Sequence, residues 1–145
     1  MLKKAKLNIY SDIENLDSYG LPEGESESTK ESFTSSFLRQ GNEFRMSYST
    51  ETEGGALFCD IRVAEGGEVT VARRGAIESV LLFEKDGEFN TVYTIPPYKF
   101  DMQIKTLRLC ASLSDVGGKI DILYLMTVGG AQRRCSIIFH YHIWR

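Results

Sequence analysis

The chain carries two histidines, His140 and His142, spaced two residues apart. On a strand that spacing puts both imidazoles on one face, where neutral ring nitrogens could share a metal ion. A site also needs a third ligand and groups that orient the rings. Ile137, Phe139 and Tyr141 occupy the opposite face, so the histidines are expected on the solvent side. The three cysteines, Cys59, Cys110 and Cys135, are odd in number and contain no CxxC pair, which argues against both a disulfide framework and a zinc knuckle. They are expected to be reduced, partly buried strand residues.

Nucleophilic catalysis requires a Ser or Cys beside an oriented base, and neither a GxSxG motif nor a cysteine–histidine pairing can be drawn from the sequence. The Gly-Gly pairs lead into alternating runs, whereas a phosphate loop feeds a helix N-terminus. No enzyme activity and no cofactor are expected.

The arginines are more informative. Arg73-Arg74 ends one alternating run before Gly75, and Arg133-Arg134 begins another after Gly129-Gly130. Alternation sends one side chain of each pair to each face, and Arg73 follows Val69 and Val71 inward. An inward guanidinium at the end of a barrel could take a ligand carboxylate in a two-pronged hydrogen bond. The simpler expectation is a structural pair with Glu51 or Glu84. Tyr48, Phe89, Tyr93, Phe100, Tyr124, Phe139 and Tyr141 fall on apolar faces, where they either fill an interior or line a pocket with phenol groups as polar handles. The candidate ligand set is therefore Arg73 at a rim with Tyr48, Tyr93 and Tyr124 along a wall.

Those residues need a scaffold, and the sequence describes one of strands. Gly-Gly or Asp-Gly at 54–55, 66–67, 86–87, 117–118 and 129–130 separates runs of period two, the strongest short-range hairpin signal. Phe44, Met46 and Tyr48 share one face; so do Leu57, Cys59, Ile61 and Val63, and later Ile120, Ile122, Tyr124, Met126 and Val128. No window has a helical period. The runs mark about ten strands, near 3–11, 27–39, 43–52, 56–64, 68–73, 76–84, 88–95, 98–115, 119–128 and 132–144. A long meander with one apolar face curls until that face is enclosed. The expected fold is all-β, a single closed antiparallel up-and-down barrel of about eight to ten strands, with a two-sheet sandwich as the alternative. Within 98–115 the apolar positions change from even (Phe100, Met102, Ile104) to odd (Leu107, Leu109, Ala111, Leu113) without a turn residue between them. One extra residue near Lys105-Thr106, a β-bulge, accounts for that and would bend the strand around a barrel.

Residues 11–31 stand apart, rich in acidic residues and serine and poor in apolar ones, and read as a long mobile connection within a single domain spanning 1–145. A formal net charge of −3 offers no basic field for nucleic acid. No apolar run reaches the ~20 residues of a membrane-spanning helix, and the N-terminus lacks the apolar core of a secretory signal. A cytoplasmic protein, monomer or homodimer, is expected.

The chain also resembles a known family. Phe44-Arg45-Met46-Ser47-Tyr48 with Glu51, Val71-Ala72-Arg73-Arg74-Gly75, and Leu82-Phe83-Glu84 before Asp86-Gly87 carry the likeness. Tyr93-Thr94, Pro96, then Phe100, Met102, Ile104 and Thr106 at alternate positions, and Gly117-Gly118-Lys119-Ile120 extend it over 27–143. Together they resemble the YwiB-like family of small bacterial proteins, a domain of unknown function. The resemblance implies a calycin-like, lipocalin-like barrel and no assigned activity. Lipocalins enclose small apolar ligands, but that is an analogy between folds. Two expectations follow: a non-enzymatic barrel that binds a small, partly apolar ligand inside, or an interaction or assembly module working through its outer surface. Trp144, Phe58 and Ile138 are the outward apolar side chains that the second would use.

Overall fold

The structure is a computed structural model describing residues 2–144. Ten strands follow one another: β1 (Lys3–Leu16), β2 (Glu27–Gln40), β3 (Glu43–Thr52), β4 (Gly55–Val63) and β5 (Val69–Gly75), then β6 (Ser79–Phe83), β7 (Glu88–Ile95), β8 (Tyr98–Leu113), β9 (Gly117–Val128) and β10 (Ala131–Ile143). All pairings are antiparallel, and the sheet runs β6-β5-β4-β3-β2-β1-β10-β9-β8-β7. This is the expected up-and-down barrel, nearly closed. No helix among the described residues is long and apolar enough to cross a membrane.

The barrel has a strong join and a weak one. β1 and β10 pair along an unbroken register from Ala5↔Ile143 to Leu16↔Gln132, so the first and last strands are zipped together. β6 and β7 are consecutive in sequence, yet meet through a single bridge, Glu78↔Thr94, whose two backbone hydrogen bonds are each 2.8 Å. Full closure fails there because β6 is only five residues long and leaves most of the β7 edge without a partner.

Two expectations are corrected. About half of the acidic segment is strand: β1 runs on to Leu16, β2 begins at Glu27, and only 17–26 connects them. Ile13 turns inward against the core while Asp12 and Glu14 take the outer face, so acidity there marks a solvated strand face rather than a missing strand. The connection itself is held by Asp17, whose carboxylate accepts from the Tyr19 and Leu21 amides, and by the bridge Leu16↔Pro22. Second, Cys110 is exposed, while Cys59 and Cys135 are buried.

The phase change in β8 is a bulge. Thr106 pairs with Tyr124 and Arg108 with Leu123, leaving Leu107 as the extra residue, unopposed and 41% exposed. It falls where β8 outruns β7: the Thr106 amide donates to the Gly87 carbonyl at 2.9 Å. Beyond it Leu109 and Leu113 return to the core.

One half of the interior is packed solid. Phe37 stacks on Tyr141 with ring centroids 5.3 Å apart and leans on Phe44 at 6.0 Å. Leu7, Ile104, Ile120 and Phe139 belong to the same core cluster, all with little or no exposure. The Tyr141 hydroxyl donates to the Ser114 carbonyl (2.8 Å) and accepts from the Ser114 amide (3.1 Å), so the buried phenol is satisfied. Gly118 faces this ring. A Cβ there would lie 2.5 Å from the Ser112 carbonyl oxygen and 2.8 Å from the Tyr141 ring, so only glycine lets β9 pass.

Candidate functional site: a cavity at the open half of the barrel

The inward row of β10 shows why the other half is hollow. From Tyr141 and Phe139 it passes to Ile137, Cys135, Arg133 and Ala131, from bulky rings to small or polar side chains. The facing ends of β7, β8 and β9 contribute Tyr93, Met102, Met126 and Val128, and β1 contributes Ser11 and Ile13. They leave a cavity of about 540 Å³, within the ~300–1,000 Å³ typical of small-molecule sites. Ile95 and Phe100, at the tip of the β7–β8 hairpin, line it and are 43% and 42% exposed, which places them at its mouth. Phe100, expected either to fill the interior or to line a pocket, lines the cavity at its rim because β7 and β8 meet just beyond it at Pro96-Pro97.

Arg73 and Arg133 both line the cavity, and no Asp or Glu among the described residues does. Arg73 makes no ion pair and no side-chain hydrogen bond among the described residues, which corrects the expected pair with Glu51 or Glu84. The alternation explains the miss: Glu51 shares the outward parity of Arg45 and Ser47 on β3. Glu84 lies just past Phe83, at the far end of β6 from Ser79, the residue opposite Arg73. Ser79 is itself buried, and its hydroxyl has no hydrogen-bond partner.

Of the four residues expected to form the site, the cavity gathers Arg73, Tyr93 and Tyr124, but not Tyr48. The Tyr124 ring packs on Phe83 at 4.9 Å, so it stands where the packed half meets the cavity. Burial raises its pKa well above the ordinary phenol range, reinforced by Cys135 and opposed by the charge of Arg73. The phenol is therefore a neutral hydrogen-bonding group at any working pH. Tyr48 is turned away because β2 stays paired to β3 only from Ser36↔Ser47 to Gln40↔Glu43. Past that point the strands splay, and Phe33 swings over to stack on Tyr48 at 4.1 Å. Tyr48 lines a second hollow of about 420 Å³, shared with Thr34, Asp60 and Arg73, so Arg73 borders both spaces. Burial and the neighbouring Cys59 also push the Tyr48 pKa up strongly, again against the charge of Arg73.

Residues 18–137 match the family described as a domain of unknown function, DUF1934. The chain belongs to the DUF1934 family. Among solved structures it is similar to the ywiB protein from Bacillus subtilis, with a TM-score of 0.84 and 24% identity over 99% of this chain and 94% of that one. That likeness concerns the fold. No curated protein matches the chain.

Sequence reasoning omitted the second arginine that this DUF1934 chain places in the cavity. Arg133 has the same parity as Cys135 and Ile137, so the alternation that turned Arg73 inward should have turned it inward too. His140 and His142 lie on the outer side, their rings 4.6 Å apart at right angles. No cluster of three or more His, Cys, Asp or Glu with metal-binding geometry occurs among the described residues.

Proposed function

We propose that this protein is a non-catalytic binding barrel that takes one small, partly apolar molecule into its open half. The cavity of about 540 Å³ carries the reading, because a barrel with no such role has no reason to leave that volume unpacked. Apolar walls from Met102, Met126, Val128 and Ile137 supply affinity, and Tyr93, Tyr124 and Arg73 supply orientation. The calycin-like architecture supports it by analogy, since barrels of this size can hold one ligand. The protein works in the cytoplasm, where Cys59, Cys110 and Cys135 stay reduced. Native mass spectrometry of protein purified from cells tests the proposal. A reproducible added mass that leaves on denaturation is the expected outcome. Protein that carries no added mass and takes up no apolar fluorescent dye would overturn it.

A second reading, an interaction or assembly module, draws on the outer surface near the weak join. Val80 on β6 and Val92 on β7 are nearly half exposed beside incompletely paired strand edges, and the Trp144 ring is 53% exposed. Unpaired edges and exposed aromatic residues are common docking features. Light scattering separates the two: a homodimer that Val92→Lys or Trp144→Ala converts to monomer supports the module, and a monomer throughout counts against it.

A further inference from the structure

Every other described arginine has a partner. Arg39 pairs with Asp115 (2.8 Å), Arg45 with Asp60 (2.8 Å), Arg62 with Glu43 (3.4 Å) and Arg108 with Asp121 (3.2 Å). Arg134 bonds Glu14, with Nε to the carboxylate at 3.0 Å, and Arg74 lies over the Phe58 ring at 5.4 Å. Arg73 and Arg133 alone have neither a carboxylate nor a ring, and both line the cavity. The contrast is sharpest within each doublet: Arg74 and Arg134, turned outward, are matched, while their inward neighbours are not.

We infer that the cavity selects an amphipathic oxyanion, a molecule with an apolar body and one carboxylate or phosphate group received by Arg73 and Arg133. This rests on the binding reading above and names the class of ligand. A guanidinium is a permanent charge with a planar fork of donors that matches such a group. Leaving Arg73 half-buried and unpaired beside apolar walls is unfavourable until an anion arrives, and Arg133 adds a second charge at the exposed mouth. The cavity wall offers no competing carboxylate, and the phenols of Tyr93 and Tyr124 can add hydrogen bonds. The buried, unpartnered hydroxyl of Ser79, opposite Arg73 in the β5–β6 register, is a further donor on the same side. A cationic or zwitterionic ligand would face uncompensated positive charge and is selected against.

Isothermal calorimetry with decanoate, decyl phosphate, decanol and decylamine tests this. Decanoate or decyl phosphate should bind at least about tenfold more tightly than decanol, with decylamine weakest; which of the two anions leads identifies the headgroup. Arg73→Gln and Arg133→Ala should each weaken the preferred anion by roughly ten- to a hundredfold while leaving decanol unchanged. Arg134→Ala, which removes an equal charge outside the cavity, should change neither. Because Arg133 lies at the exposed mouth, its variant keeps the test independent of any folding defect in Arg73→Gln. Equal affinity for decanol and both anions, or equal losses for anion and alcohol, would overturn the anion inference and leave the binding barrel standing. Failure of all four probes together with no co-purifying mass would overturn both.

Discussion

The two halves of this barrel are built from the same strands and differ in what those strands turn inward. Toward the β8–β9 turn, Phe37, Phe44, Phe139 and Tyr141 interlock, and even the phenol is tied to Ser114. Toward the β7–β8 and β9–β10 turns, the inward rows end in Cys135, Arg133 and Ala131 on β10, Arg73 on β5 and Met102 on β8, and about 540 Å³ stays open. Only one half is under pressure to pack, so under the binding reading proposed above stability and binding are divided between the ends of one sheet. A division of that kind is common: rigid elements support a site whose own contacts are left unmade until a ligand supplies them.

Removing bulk from each half is the most severe way to break the comparison. Phe139→Ala deletes a ring that is 1% exposed and should cost about 3–5 kcal/mol. Ile95→Ala, at the exposed mouth of the cavity, should stay within about 0.5 kcal/mol. Urea unfolding of both variants decides it; comparable losses would mean that the open half also carries the core.

Adding bulk gives the complementary test, with a smaller effect. Gly118→Ala drives a methyl into the Ser112 carbonyl and the Tyr141 ring and should cost about 1–3 kcal/mol. Cys135→Leu extends a side chain beside open volume and should change stability by less than about 1 kcal/mol, while weakening the proposed binding of decanoate or decyl phosphate. A Gly118→Ala protein as stable as the parent would show that the packed half has slack.

Much of this architecture was legible in the sequence because period-two patterning and glycine turns are local signals. Each strand from β2 to β10 falls within a few residues of its expected span, and the apolar phase change located the bulge. β1 was underestimated because Asp12 and Glu14 look like loop composition, although on a strand they need only the outer face. The weak β6–β7 join was not legible, since alternation says which way a side chain points and nothing about which edge lacks a partner. The same holds for the candidate site. Parity placed Arg73 and Tyr124 inside, but Tyr48 left the cavity because β2 and β3 splay, a long-range effect. The freedom of Arg73 depended on where Glu51 and Glu84 lie around the barrel, and no local pattern encodes that.

The smallest effect concerns how the less packed half is braced. Ser47 and Asp60 pair in register beside Tyr48 and Cys59, which begin the hollow side of β3 and β4. Asp60 accepts from Arg45 Nε (3.0 Å) and Nη2 (2.8 Å) and from the Ser47 hydroxyl (2.6 Å). Partial burial disfavours its ionised form, but these bonds and the charges of Arg45 and Arg62 outweigh burial and hold its pKa below the ordinary carboxylate value. A depressed folded-state pKa contributes stability that is present above the unfolded value, about 3.9, and is lost as pH falls through the folded one. Arg45 is 47% exposed, so solvent screening limits the contribution to roughly 0.5–1 kcal/mol. Asp60→Asn should therefore lower the urea midpoint at pH 7, and the gap from the parent should close as both are titrated below about pH 4. A gap that persists at low pH would show that shape and neutral hydrogen bonding, rather than charge, brace this wall from outside.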